Sequence, residues 1–360
     1  MKNNLFTITF NDENAVCYFD NNGLQTPNEF YYFGDFKTVE KKRSSGRVDV
    51  YYYSIDYRPA INKADHDFIQ ALPEYARARI LHAAGNVYTA FNHDTLYQYD
   101  DVAPENVHAF YNELKKEKAF QVKLKKARAI MEKLSAGAVL SIDETIFIKK
   151  CFDDSISTGS GKLKNIDSIS TAVYLNERCK RNAKNKKWIC SKCYAMKYAG
   201  LRSDLSRKLE LNTLLYTTCI VPVELLPTIN ARYFRFESFG DLNNAAQQIN
   251  YFNIAMKNSY TFFAQWSKNP DITAAAIDAG YNKPVNLRYV YSSPLINVAA
   301  PDDIMEKYGF IDEYFTVYDP EYIADHDVNI NCYGAAAGGC INCLNCYRKD
   351  GAQYVNEKLK

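Results

Sequence analysis

The sequence predicts an α/β protein whose C-terminal half forms a partial (β/α) barrel or an open parallel sheet, preceded by an α+β N-terminal domain. Strand-like segments begin near residues 232, 261, 287 and 314, at spacings of 29, 26 and 27 residues. Helix-forming stretches separate them, and this alternation is typical of βαβ units. Right-handed crossovers between parallel strands make either form of sheet the natural closure.

Length and composition indicate two domains. The 360 residues exceed the size of one typical domain, and we predict an accessory domain over 1–157 and a cysteine-rich metal-binding domain over 158–360. Hydrophobic residues make up 47% and charged residues 24%, which excludes a disordered chain and a coiled coil. The net charge of +2 excludes a protein that is basic throughout, so nucleic acid would need a local basic patch.

The chain contains no run of 18 apolar residues and no apolar segment after Met1, so we expect no membrane partner and no signal peptide. The predicted location is the cytoplasm. Ten cysteines in a reducing compartment indicate metal binding, catalysis or packing rather than disulfides.

The N-terminal part is predicted to contain strands followed by helices. Leu5–Phe10 and Val48–Tyr53 are rich in β-branched and aromatic residues, and residues 67–150 have helical patterns. Ser141 and Glu144 match a capping box at the start of the last of these helices. Thr158–Lys162 lacks the phosphate-loop pattern and is interpreted as a flexible linker.

The C-terminal part is predicted to alternate strands and helices. The predicted strands are 169–175, 232–236, 261–265, 287–291 and, as the last one, 314–318. The predicted helices are 195–217, 242–256, 271–279 and 302–307.

Polar residues follow several of these strands, where parallel α/β folds place their sites. We predict Glu237 and Lys268 as catalytic residues, and Glu237, Ser238 and Asp241 as residues that bind a cofactor. The alternative for Asp241 and for Ser293 is capping of the next helix.

The four cysteines that we call the closing cluster are Cys332, Cys340, Cys343 and Cys346. Three of them fall within seven residues as Cys-x2-Cys-x2-Cys, which is typical of [4Fe–4S] loops, whereas zinc sites separate their pairs by a longer loop. Gly334, Gly338 and Gly339 would let the backbone turn towards the ligands. An iron–sulfur cluster is the first interpretation, and zinc is the alternative.

The middle cluster consists of Cys179, Cys190 and Cys193. Three cysteines can hold a [4Fe–4S] cluster with one iron left open, which a substrate or S-adenosylmethionine can bind. The alternative is zinc with a fourth ligand from Cys219 or a histidine. Cys17, Cys151 and Cys219 lie in apolar surroundings and are predicted to be core residues.

Charge is distributed unevenly around the middle cluster. Residues 177–208 hold eleven Lys and Arg but only two acidic residues, whereas residues 301–330 hold nine acidic residues and one Lys. The basic loop 178–187 is a candidate contact for a nucleic-acid backbone. The alternative is that the two segments attract each other or are simply solvated.

The cysteines and strand ends together resemble an uncharacterised bacteriophage family known as "gene product eighty-eight", over about residues 158–347. The resemblance is carried by Cys179, Cys190–Ala195, Ser238–Asp241, Ser267–Asn269, Ser292–Ser293 and the closing cluster. It implies an origin in a phage or mobile element, and for a protein encoded by a phage the expected location is the host cytoplasm.

More distantly, the order of strand, three-cysteine loop, helix and strand is similar to that of radical S-adenosylmethionine enzymes, which are partial barrels. In this resemblance Cys193 matches the last ligand of their loop and Glu237 stands near their methionine-binding strand end. The first gap is ten residues here and three in theirs, and their Gly-Gly-Glu is absent. The expected function is a phage-type iron–sulfur protein of radical type; the alternative is a zinc-stapled nucleic-acid-binding protein without catalysis.

Overall fold

The computed structural model describes residues 8–10, 15–20, 23–25, 36–42, 48–54, 63–83, 104–196, 202–298, 302–332 and 338–359. The chain divides into two compact units, residues 1–121 and 122–360. The predicted domain boundary at residue 157 stays a prediction. Among the described helices, none has both the length and the apolar composition that crossing a membrane requires.

The first unit begins with short antiparallel strands, followed by helices. The strands are β1 Ile8–Phe10, β2 Ala15–Asp20, β3 Gly23–Gln25, β4 Phe36–Lys42 and β5 Val48–Ser54. β2 pairs with β1 and β3, and β4 pairs with β5. Residues 5–7 of the first predicted strand lie outside the described residues. The helices that follow are α1 Lys63–Ala71 and α2 Glu74–Ala83.

Two longer helices come next, α3 Pro104–Ser135 and α4 Ile142–Asp153. The predicted capping box of α4 is confirmed. The Glu144 backbone N–H donates to Ser141 Oγ at 3.3 Å, and the Ser141 N–H donates to Glu144 Oε2 at 2.9 Å. These bonds satisfy backbone donors that the first helical turn leaves open.

The second unit is built on alternating strands and helices. Its strands are β6 Asp167–Ile169, β7 Tyr233–Phe236, β8 Phe262–Ser267, β9 Leu287–Ile296, β10 Glu313–Tyr318 and β11 Tyr354–Lys358. Its helices are α5 Glu177–Ala183, α6 Ser203–Thr217, α7 Ala245–Lys257, α8 Pro270–Asp278, α9 Asp302–Lys307, α10 Pro320–His326 and α11 Cys340–Cys343.

These six strands form one open sheet in which every neighbouring pair is parallel and the spatial order follows the chain from β6 to β11. The predicted parallel α/β sheet is therefore confirmed. Two predictions about its strands are wrong. The strand expected at 169–175 ends at Ile169 and is followed by a 3-10 helix over Val173–Leu175, and Tyr318 does not end the last strand, because β11 follows.

The two faces of the sheet pack against different partners. On one face Phe236 stacks on Tyr251 of α7 with ring centroids 4.2 Å apart, and Gln265 is hydrogen-bonded to Gln248 of the same helix. The opposite face, which we call the inner face, bears alternate strand residues such as Arg235 and Trp266. It is covered by the chain around the closing cluster.

The segment predicted to be a linker contains a 3-10 helix over Gly161–Leu163. Lys162 in this helix forms a 2.7 Å ion pair with Glu357 of β11. β6 and β11 are the two edges of the sheet, so this pair links the chain beside one edge to the strand at the other.

Candidate metal centres on the parallel sheet

The closing cluster surrounds a cavity on the inner face. All four of its cysteines line this cavity, together with Arg235, Trp266 and Tyr347. Gly338 and Gly339, which precede Cys340, have φ angles of +76° and +122°, so the predicted need for glycine in this turn is confirmed. Gly334 lies outside the described residues.

Several contacts hold the closing cluster against the sheet. The Cys332 backbone N–H donates to the Asn356 carbonyl of β11 at 3.0 Å. Cys340 and Cys346 pack in a hydrophobic cluster built on Ile166, Ala264 and Tyr347. The cysteines therefore lie on a surface made by several strands, and they do not depend on their own loop alone for position.

Two residues that line the same cavity each carry a buried hydrogen-bond donor. Arg235 Nε and Trp266 Nε1 are inaccessible to solvent and have no hydrogen-bond partner among the described residues. The Arg235 guanidinium lies over the Trp266 ring, 4.3 Å from its centroid, so the two side chains orient each other. A buried donor without an acceptor costs free energy, and sulfur ligands around a metal would supply acceptors.

Cations lie beside the thiols of the closing cluster. Lys162 Nζ is 3.9 Å from Cys332 Sγ. Burial raises the pKa of Cys340, while Lys162 and Arg235 act in the opposite direction. Positive charge of this kind favours thiolates, the form in which cysteine binds metals.

The four sulfur atoms surround the cavity without forming a ligand set. In the part of the chain that the structure describes, no three His, Cys, Asp or Glu side chains are arranged so that they could hold a metal ion. The donor chemistry nevertheless fits a metal group bound by cysteine, because four cysteines line one cavity together with Arg235 and Trp266. The Nε of Arg235 and the Nε1 of Trp266 have no partner among the described residues, and Lys162 lies beside Cys332.

The middle cluster lies on a loop that docks on the carboxyl ends of the strands. Cys179 is in α5, and Cys190 is in a 3-10 helix over Ile189–Lys192 that leads to Cys193. Trp188 forms an antiparallel bridge with Leu295 near the end of β9.

Arg178 ties the same loop to the end of β8. Its Nη1 donates to Asn269 Oδ1 at 2.6 Å, and its Nη2 donates to the Lys268 carbonyl at 2.9 Å. The middle cluster therefore stands at the edge of the sheet where parallel α/β folds place their sites.

Asn176 fixes the orientation of Cys179. Its Oδ1 accepts hydrogen bonds from the backbone N–H groups of Arg178 and Cys179 at 3.0 and 3.1 Å, which caps α5. Its Nδ2 donates to the carbonyls of Asp241 and Leu242. One buried side chain thus joins the first cysteine to the chain that follows β7.

The three thiols of the middle cluster interact electrostatically. Burial raises the pKa of Cys179, and Asp241, Cys190 and Cys193 raise it further. Burial also raises the pKa of Cys190, while Lys268 opposes this change. Burial and neighbouring negative charge therefore favour the protonated thiols at Cys179 and Cys190.

Glu237 is buried and fully engaged by protein groups. Its carboxylate accepts hydrogen bonds from Thr171, Gln247 and Tyr251. Its φ of +59° turns its side chain away from the direction that strand alternation would give it and towards Gln247 of α7. A contact between Glu237 and a substrate or cofactor stays a prediction.

The other predicted site residues lie at the same strand ends. Ser238 Oγ is hydrogen-bonded to Ser170 Oγ at 2.9 Å, and the Ser238 carbonyl accepts from the Tyr194 hydroxyl. Asp241 Oδ1 accepts from Ser267 Oγ at 2.6 Å. The predicted roles of Ser238 and Asp241 in binding a cofactor are not decided by these contacts.

Lys268 is half-buried, and its Nζ donates to Ser292 Oγ at 2.8 Å. Ser292 lies within β9 and does not follow it, and Ser293 also lies within that strand. Ser292 continues the alternation that places Val290 on the inner face, whereas Lys268 directly follows the last residue of β8.

The remaining cysteines have other surroundings. Cys151 is buried, as expected for a core residue. Cys219 is half-buried and its Sγ lies 4.0 Å from the Met131 carbonyl. The side chain of Cys17 lies outside the described residues.

Sequence reasoning missed three side chains beside the closing cluster: Lys162, Arg235 and Trp266. The available signal was the alternation Tyr-Phe-Arg-Phe in β7, where a single charged residue stands in an otherwise aromatic strand. A charged residue in an otherwise aromatic strand, such as Arg235, indicates that polar groups lie on the face of the sheet to which it points.

Comparison with protein-family models finds no match for the chain. No curated protein and no solved structure matches it either.

Proposed function

We propose that the protein is a phage-type iron–sulfur protein, in which the closing cluster binds one metal group and the middle cluster keeps a coordination position open. The observation that carries the proposal is the cavity of the closing cluster, where four cysteines meet two unpartnered buried N–H donors. The placement of the middle cluster at the carboxyl ends of parallel strands supports a reactive role for it. The open sheet has a sequential strand order, which partial (β/α) barrels share, and this order supports the radical part of the proposal.

The middle cluster supplies three cysteines and no fourth. Cys219, the nearest other cysteine in sequence, is near the Met131 carbonyl instead. A [4Fe–4S] cluster held by three cysteines supplies electrons and one open iron for an exogenous ligand such as S-adenosylmethionine. Asn176 and Arg178 hold the loop in place, and Lys268, which donates to Ser292 Oγ, would face the substrate at this end of the sheet.

Metal analysis tests this proposal directly. Protein purified without oxygen is expected to be brown and to contain iron and acid-labile sulfide. The Cys190→Ser variant should lose the middle group and retain the closing one, and Cys343→Ser should show the reverse. Protein with stoichiometric zinc and no iron would contradict the proposal.

Binding of S-adenosylmethionine at the open coordination position of the middle cluster can be measured separately. Adding S-adenosylmethionine to the reduced protein should change the electron paramagnetic resonance spectrum of the middle group. The Cys190→Ser variant should lack this response. An unchanged spectrum in the native chain would remove the radical part of the proposal and leave the iron–sulfur part standing.

A zinc-stapled nucleic-acid-binding protein is the second candidate, and the basic loop favours it. Four exposed cations on that loop form no ion pair among the described residues: Arg181, Lys184, Lys186 and Lys187. Such charges can neutralise phosphates and release counterions.

Salt dependence of oligonucleotide binding tests this candidate. The double variant Lys186→Glu/Lys187→Glu should lower the slope of log affinity against log salt by roughly 2, about one for each lost phosphate contact. The control is Lys149→Glu/Lys150→Glu, two exposed lysines on α4. Equal slopes for both double variants would exclude the loop as the contact.

A further inference from the structure

We infer that Arg235 and Trp266 are hydrogen-bond donors to the sulfur atoms of the group bound by the closing cluster, and that they thereby set its reduction potential. The inference rests on the proposed iron–sulfur function. It concerns two residues that have no role in the sequence-based hypotheses, and it starts from their unsatisfied N–H groups.

The two donors share one environment. Arg235 Nε and Trp266 Nε1 both lack a partner among the described residues and both line the cavity that the four cysteines surround. Each side chain comes from a neighbouring strand, Arg235 from β7 and Trp266 from β8. Strand residues in a hydrogen-bonded sheet are positioned more rigidly than loop residues, so the donors are fixed before a group binds.

Stacking between the side chains fixes their orientation further. The guanidinium lies 4.3 Å from the centroid of the Trp266 ring, and Trp266 packs edge-on against Phe315 at 4.4 Å. Neither N–H group can therefore turn away to water without disrupting aromatic contacts. The cavity lining offers four cysteine sulfurs as acceptors, whereas the side-chain oxygens of its two asparagines, Asn331 and Asn345, already accept hydrogen bonds from backbone N–H groups.

The consequence for redox chemistry follows from charge. Reduction adds an electron to an already anionic group, and N–H donors and nearby cations stabilise the more negative state. Removal of a donor should therefore make the midpoint potential more negative. Arg235 contributes both a donor and a charge, whereas Trp266 contributes a donor alone.

Substitutions that preserve size and charge separate these contributions. Trp266→Phe removes the Nε1–H and keeps an aromatic ring beside Arg235. Arg235→Lys keeps the positive charge and removes the Nε–H. Arg232→Lys is the matched control, because the exposed Arg232 lies over Phe262 at 4.7 Å and is not among the residues that line the cavity.

The potential should be measured in a Cys190→Ser chain, so that only the group at the closing cluster responds. Trp266→Phe and Arg235→Lys are expected to give more negative midpoint potentials than Arg232→Lys, which should match the parent. If iron and sulfide are present but all three variants have the same midpoint potential, the inference is overturned and the proposed function stays intact. A parent chain without iron and sulfide would overturn both.

A measurement that needs no substitution at 235 or 266 protects the test against misfolding of those variants. Resonance Raman spectra of the Cys190→Ser chain in H2O and D2O should show shifted iron–sulfur stretching bands if exchangeable N–H groups bind the sulfurs. Identical bands in the two solvents would overturn the inference even if every variant at 235 or 266 failed to fold.

Discussion

The Tyr251 hydroxyl donates a 2.5 Å hydrogen bond to Glu237 Oε1, and both side chains are buried. Gln247 Nε2 donates to the same oxygen at 2.7 Å, and the Thr171 backbone N–H donates to Oε2 at 3.1 Å. Burial raises the pKa of Glu237 to about 7, while the hydrogen bonds from Tyr251 and Thr171 oppose this shift. The carboxyl group that follows β7 therefore joins α7 to the chain after β6.

Glu237 should make the stability of the second unit depend on pH. Its pKa rises from 4.5 to about 7 on folding, so the folded state holds the proton more tightly than the unfolded state. The free energy of unfolding should therefore be highest below about pH 4.5, fall as pH rises to about 7, and level off above that. Urea denaturation across this range measures the slope.

Glu237→Gln should flatten this slope, and Asp278→Asn, at an exposed position on α8, is the control. The change of unfolding free energy with pH is compared, and not the free energy itself. The glutamine amide that replaces the carboxyl group meets the same hydrogen-bond donors and also changes the stability at every pH. Equal slopes in the parent and in Glu237→Gln would show that another group titrates.

Gly240 allows the chain to pass close to Glu237. A Cβ at this position would lie 2.0 Å from Glu237 Oε2 and 2.6 Å from the Thr171 carbonyl oxygen. Gly240→Ala should therefore destabilise the unit by roughly 1–3 kcal/mol. Gly309→Ala, where a Cβ would meet nothing within 4 Å, should change stability by less than about 0.5 kcal/mol. Similar melting of the two variants would contradict this account.

Asn176 should matter for metal binding as well as for stability. Asn176→Ala removes the cap of α5 and the link to Asp241, and should cost about 1–2 kcal/mol. Because Cys179 loses its anchor, the middle cluster should also bind less metal. Asn244→Ala is a matched control, since Asn244 caps α7 by accepting from Gln247 N at 3.0 Å. Loss of metal in both variants would indicate general unfolding.

The closing cluster should stabilise the second unit when it binds metal. Cys343→Ser should lower metal content and melting temperature together, because binding to folded ligands contributes to folding free energy. A chelator should lower the melting temperature of the parent and have little further effect on this variant. Cys219→Ser, at a cysteine outside both clusters, should keep its metal. Unchanged metal and melting in Cys343→Ser would contradict the assignment.

The parallel sheet could be predicted because its βαβ spacing is visible in the sequence. The strand β11 could not be predicted, because Tyr354–Lys358 is short and half-polar. It also directly follows a cysteine loop, whereas the βαβ pattern predicts a helix before each strand. It pairs with β10 through its backbone, and backbone pairing leaves little trace in side-chain patterns. β6 has only three residues, so its boundary was equally hard to place.

The candidate site could be predicted only in part, because strand pairing brings some of its residues together and leaves little trace in the sequence. Cysteine spacing groups the residues of both clusters in the sequence, and their binding of a metal stays a prediction. Trp266 and Arg235 reach the closing cluster through the register of β7 and β8, which sequence spacing does not contain. The direction of Glu237 depends on one left-handed backbone conformation, which no neighbouring residue type demands.

The ion pair between Lys162 and Glu357 connects the chain before β6 to β11, and these two strands are the edges of the sheet. This connection differs from the contacts between neighbouring strands inside the sheet. Neighbouring strands are joined by ladders of backbone hydrogen bonds, whereas β6 and β11 share no such ladder in the described chain. Both partners of the pair are partly exposed, so salt weakens their attraction. Separation of Lys162 from Glu357 would break no strand pairing, and added salt should therefore loosen this contact while the six-stranded sheet stays intact.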